Sequence, residues 1–291
     1  MRRLILDTDW WTDCDDAMAV RILCNAHRKR ECEIAGININ ACMEYSVASL
    51  DVFTRDSGVF VPLGVDHSAT LFAGSPPYQK HLAACGKVVL RENADVPDSA
   101  DFYRKLLAGA AFRELEILSI GFTQDLAGLL KREEDLTLVR EKVRHLWIMA
   151  GKWDEDGGKE YNFCKNALTR ESGELLCRFW PTPITFLGWE AGHSVISGGH
   201  LPEGDLLRQV MEDHGSPQGR SSWDPMLVLL ALAGDPEKAG YKCVYGQAQL
   251  NGADGANHFL HRADGPHRFV VKLHPDEFYA EEIDKHLPRL P

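Results

Sequence analysis

The property that most constrains this chain is the alternation of its apolar segments. Short apolar runs are followed by stretches of amphipathic, helix-like spacing: Leu4–Leu6 then Asp15–His27; Glu33–Asn38 then Ser46–Arg55; Val61–Gly64; Leu115–Ile120 then Gln124–Arg132; His145–Met149; Ile184–Leu187. Short runs of this kind suit parallel strands buried on both faces, and the intervening stretches suit crossover helices. The expected fold class is therefore α/β: a single domain over 1–291, an open and mostly parallel sheet with helices on both faces, Rossmann-like, with its active site at the strand carboxyl ends. Asp98–Ala110 and Asn166–Phe179 read as further helices. Met226–Ala233 is apolar all round and reads as a buried helix opened by Asp224-Pro225, an N-cap acid followed by proline at the first helical position. Gly192–Ser222 and the hairpin-like stretch Gln247–Phe269 are expected near the mouth of the fold.

In such a sheet, ligands bind beyond the carboxyl ends of the strands. After Leu4-Ile5-Leu6 come Asp7, Asp9, Asp13, Asp15 and Asp16, five carboxylates in ten residues. Crowded carboxylates repel one another unless a cation neutralises them or their pKa values rise, and a hard divalent metal is the simplest answer. A helix N-terminus explains some of these acids, since Asp15 and Asp16 would suit its dipole and Asp13 could cap it. An EF-hand loop does not explain them: Trp11 stands at a ligand position, Thr12 replaces the glycine and Met18 the closing Glu. Other strand ends bring Asn38 and Asn40, Gly121–Asp125, Glu160-Tyr161-Asn162 and Trp223-Asp224. Carboxylates, amides and a metal converging on one crevice suit a polyhydroxylated ligand such as a sugar.

Composition narrows the classes further. Forty-three acidic against 32 basic residues give a formal charge of −11, which argues against a nucleic-acid-binding surface. Eight scattered cysteines without a C-x-x-C pair read as reduced thiols of a cytosolic protein. Leu4–Leu6 falls far short of the roughly 7–15 apolar residues of an export signal core. No membrane or nucleic-acid partner is expected; a small-molecule nucleoside and a homodimer or homotetramer are.

The residues resemble the calcium-dependent nucleoside hydrolases, specifically the inosine-uridine-preferring type and its bacterial variants. The family's D-x-D and D-D-x-x-A are matched by Asp7-Thr8-Asp9 and Asp15-Asp16-Ala17-Met18-Ala19, and its G-P-L-T-N-L-A turn is echoed by Gly121–Ala127. Its E-[FY]-N loop is matched by Glu160-Tyr161-Asn162 and its late D-P by Asp224-Pro225. The resemblance implies Ca²⁺ held by Asp9, Asp16, Asp224 and the main-chain carbonyl of Gln124, where the family usually has Thr. It further implies Asp15 on the ribose 2′-hydroxyl, Glu160 and Asn162 on the 5′- and 3′-side hydroxyls, and Met149 near the sugar. The implied reaction is hydrolysis of the N-ribosidic bond, with Asp9 the base for a Ca²⁺-bound water, and the implied setting is purine and pyrimidine salvage.

Three departures qualify this resemblance. The opening motif carries two extra residues, with Trp11 near the family's usual glycine, so Trp10 and Trp11 either reshape the base pocket or pack. The family's second-strand Asn falls near Met43 without gaps, and Asn40 is the expected substitute. Where inosine-uridine enzymes place a His that protonates the leaving base, this chain has Trp223, which has no useful acid proton but can stack. Trp189 and Trp10 are further candidate stacking residues, and His81, His193 and His258 are alternative acids. Two other readings follow: a Ca²⁺-dependent riboside-binding protein or hydrolase of another ribosyl compound, and a phosphatase resembling the haloacid-dehalogenase type, in which Asp7 would attack phosphate and Asp9 act as acid and base with Mg²⁺.

Overall fold

A computed structural model describes residues 1–72, 74–86 and 89–291. The described strands are β1 (Arg2–Thr8), β2 (Cys32–Ile39), β3 (Leu63–Val65), β4 (Leu115–Ser119), β5 (Val143–Met149), β6 (Ile184–Leu187), β7 (Ile196–Ser197), β8 (Arg220–Ser221), β9 (Tyr241–Leu250), β10 (Asn257–His261) and β11 (His267–Lys272). Nine of them form one sheet in the order β10-β9-β11-β6-β5-β4-β1-β2-β3, while β7 and β8 pair as a small ribbon. From β3 to β6 every pairing is parallel; β11 continues parallel on β6, and β9 and β10 run antiparallel at that edge. This is the expected open, mostly parallel α/β sheet.

Alternation of side chains explains why both faces are covered. Leu4 and Leu6 of β1, Leu118 of β4 and Met149 of β5 enter one core, shared with the helices Asp15–Arg28, Ser46–Asp56 and Trp223–Ala233. Ile5, Ile117 and Ile148 point the other way, into a second core shared with the helices Ser99–Ala108 and Ala167–Phe179. The chain steps outward from β1 to β3, then returns to β4 on the other side of β1. The crevice at that reversal, above β1 and β4, is where an open sheet accepts ligands. Gly121 lets the loop after β4 press against the loop after β1, since a Cβ there would lie 2.3 Å from the Asp9 amide nitrogen.

Several local expectations need correction. The stretch Gln124–Arg132 is not one helix: Gln124–Gly128 ends after Gly128, and a new helix, Glu133–Lys142, begins beyond extended Arg132. Asp224 does not cap the buried helix. That helix starts at Trp223 with Ser222 as its N-cap, so Asp224 lies inside the first turn, where the dipole also favours it. Asp13 does not cap the helix Asp15–Arg28 either, the N-cap being Cys14. Gln247–Phe269 forms the antiparallel sheet edge rather than the mouth, although Asn257 braces the loop after β5 through the main chain of Lys152. Among the described residues, no helix is long and apolar enough to cross a membrane.

Candidate functional site

Beyond β1 the chain turns sharply at Trp10, which has φ +45°. A non-glycine residue in this left-handed region carries strain of about 1–3 kcal/mol, tolerated only where the surroundings hold it. Here they do. The Trp10 amide donates to Thr8 Oγ1 (2.9 Å) and Asp16 Oδ1 (3.2 Å), and its indole donates to Ser49 Oγ (2.8 Å) while packing on Phe53 and Tyr78. Trp11 packs separately on Phe72 and Phe122. The two extra residues thus anchor the acidic loop in the core, and Trp10 is not a stacking residue of the cleft.

The loop presents its acids to a cleft of about 350 Å³, lined by Asp9, Thr12, Asp13, Asp15, Asp16, Ile120, Met149, Glu160, Tyr161, Asn162, Trp189, Arg220, Trp223 and Asp224. Of the residues singled out in the sequence, Asp9, Asp15, Asp16, Met149, Glu160, Asn162, Trp189, Trp223 and Asp224 meet here. They come from the ends of β1, β5 and β6 and from the start of the helix Trp223–Ala233. Carboxylate oxygens of Asp15, Asp16 and Asp224 lie within 4.8 Å of one another. Burial, reinforced by the charges of neighbouring acids (Asp13 and Asp16 on Asp15, Asp9 and Asp13 on Asp16, Asp15 and Asp16 on Asp224), pushes all three well above the ordinary carboxylate range. Asp9 is pushed up to about 7 by burial and then by the charges of Asp15 and Asp13. A dense set of hard oxygen donors that resist ionisation together is the chemistry of a divalent-cation site, so the residues present fit such an ion. Asp15 was expected on the sugar rather than in this trio; one of its oxygens also accepts from the Asp224 amide at 3.1 Å.

Glu160, also lining the cleft, caps the short helix Tyr161–Cys164. It accepts from the amides of Asn162 (2.7 Å) and Gly151 (3.0 Å), and burial raises its carboxyl to about 7. Asn162 donates through Nδ2 to the Met149 carbonyl at 3.0 Å. Trp223 donates its indole N–H to the Trp189 carbonyl at 2.7 Å, which ties the two aromatic walls together. Gly192 permits this packing, since a Cβ there would lie 2.5 Å from Trp223 Cδ1.

Asn40 needs correction. It is fully buried behind the cleft, donating to Asp7 and accepting from the Phe122 amide (3.1 Å), so its amide braces the loops and does not face a ligand. The Gln124 side chain likewise turns away to the Asn40 carbonyl (2.5 Å), and Gln124 is not among the residues lining the cleft. Asp7 is fully buried and its carboxylate accepts from Asn38, Asn40 and Tyr103, so it is closed to a phosphate and the phosphatase reading fails. His81, His193 and His258 lie outside the cleft; His81 pairs with Asp213, His258 with Asp156, and His193 stacks behind Trp189. Sequence reasoning missed the ion pair of Asp13 with Arg220 in the cleft wall, because its partners lie some two hundred residues apart.

Comparison with solved structures shows that the chain has the nucleoside hydrolase fold. An inosine-guanosine nucleoside hydrolase superposes over 100% of both chains with a TM-score of 0.77 at 14% identity. The effector protein XOO4466 matches over 98% of this chain and 93% of its own, with a TM-score of 0.67 at 14% identity. The type III effector protein XopQ, in complex with adenosine diphosphate ribose, matches over the same shares with a TM-score of 0.67 at 15% identity. At these identities the likeness is one of fold. No family model and no curated protein matches the sequence.

Proposed function

We propose that this chain hydrolyses the N-glycosidic bond of ribonucleosides, releasing ribose and free base. The observation that carries the reading is one cleft lined by buried carboxylates together with Glu160, Asn162 and two tryptophans. Asp15 has one oxygen on the Asp224 amide, and its other serves the ribose 2′-hydroxyl. Glu160 and Asn162 hold the remaining hydroxyls. Asp9 takes the proton from the attacking water. Carboxylates around the sugar favour the positive charge of an oxocarbenium-like transition state, and the walls of Trp189 and Trp223 hold the departing base.

A divalent cation, Ca²⁺ by the resemblance, would be held by Asp16 and Asp224 with Asp9 and the Gln124 carbonyl, and it would supply charge neutralisation and a more acidic water. A second reading is binding of a ribosyl compound without turnover. It draws on Trp223 standing where an acid is expected, and on the adenosine diphosphate ribose bound in XopQ. A panel of nucleosides assayed for base release, with and without chelator, separates the two. Chelator-sensitive release supports hydrolysis; tight binding of ribose analogues with no release from any nucleoside overturns it.

A further inference from the structure

Among the described residues lining the cleft, Arg220 is the one cationic side chain, and there is no histidine. Its guanidinium grips Asp13 with two nitrogens, Nε to Oδ1 at 3.0 Å and Nη2 to Oδ2 at 2.7 Å, and lies 5.7 Å from the centre of the Trp223 ring. Asp13 also accepts from the Cys14 amide at 2.7 Å, so the guanidinium is held from a fixed point on the acidic loop. The sequence assigns Arg220 no role, and Asp13 only that of a helix cap, which Cys14 fills instead. Resting on the hydrolase reading, we propose that Arg220 donates to an acceptor atom of the leaving base and stabilises the negative charge it takes on, the part an acid would otherwise play.

The chemistry fits an arginine. A guanidinium keeps its charge at any working pH and so cannot give up a proton, but its planar fork hydrogen-bonds a carbonyl or ring nitrogen of a base stacked beside it. As the glycosidic bond breaks, its electron pair moves onto the base. Arg220 meets that charge, and the base takes its proton from solvent after departure. The substrate class this implies is a riboside whose base carries an acceptor near the glycosidic nitrogen, as purine nucleosides do.

The test is steady-state kinetics of Arg220→Gln and Arg220→Lys on inosine and on p-nitrophenyl riboside, whose leaving group needs no help. Arg220→Gln should lower kcat on inosine roughly 10²–10³-fold, the range for loss of one charge-stabilising donor, and leave the nitrophenyl substrate nearly unchanged. Arg220→Lys should recover part of the loss. Equal losses on both substrates would mean that the Asp13 pair only braces the loop, and no loss on either would mean that Arg220 does not meet the base; each result overturns the proposal. Calorimetric binding of free hypoxanthine gives a readout independent of turnover. Weakening by Arg220→Gln in a protein that hydrolyses no riboside would sink the hydrolase reading and keep the base contact; unchanged binding would sink the contact.

Discussion

Glu160→Gln is a sensitive test of the electrostatics of the cleft, because it changes one buried charge and almost no volume. Glu160 is 4% exposed, and burial moves its carboxyl from an ordinary 4.5 up to about 7. At about 1.4 kcal/mol for each tenfold change in proton affinity, ionising it in the folded state costs roughly 3 kcal/mol. Because the folded value is the higher one, this cost is absent below about pH 4.5, where the carboxyl is protonated folded or unfolded. It grows with pH and is complete above pH 7. Glutamine never ionises, but it offers one good acceptor where Glu160 serves two amides, so one N–H loses its partner at a cost of about 1–3 kcal/mol at every pH. The stability difference, measured by urea denaturation in chelator, should therefore shift toward the variant by roughly 2–3 kcal/mol between pH 5 and pH 8. A difference that stays constant across this range would refute the reasoning, for it would mean that Glu160 ionises in the fold as easily as in water.

Three further outcomes are expected. Asp224→Asn should stabilise the metal-free protein, by relieving repulsion among Asp15, Asp16 and Asp224, and abolish any rise of Tm with Ca²⁺; in the unmodified protein that rise should be roughly 3–6 °C at a hundredfold excess over Kd, checked by calorimetry. Asp9→Asn should keep the fold and lose most of kcat, and near-normal base release would remove Asp9 as the base. The unmodified protein should prefer inosine to 2′-deoxyinosine by on the order of 10²-fold in kcat/KM, and Asp15→Ala should erase most of that preference; equal rates on the two nucleosides would take Asp15 out of the sugar site.

Much of this molecule is written locally. Strands buried on both faces must be apolar along their whole length, so β1, β2, β4, β5 and β6 stand out of the sequence as short apolar runs, and the helices between them as amphipathic spacing. Asp9, Asp15 and Asp16 follow the end of β1 closely, and the resemblance to the nucleoside hydrolase motifs singles out Glu160, Asn162 and Asp224; all six line the cleft. What escaped depends on approach between distant segments. Trp10 and Trp11 carry no local mark separating a stacking indole from a packed one; the partners Ser49, Phe53, Phe72 and Phe122 decide it. Asn40 looks like a cleft residue until Asp7 and the Phe122 amide engage it. Arg220 looks like any surface arginine until the ribbon of β7 and β8 carries it across to Asp13. A periodic pattern reports which face of an element is buried, because burial acts on every residue of that face. The partner of a single polar side chain is set by one contact across the fold, and that only the tertiary structure supplies.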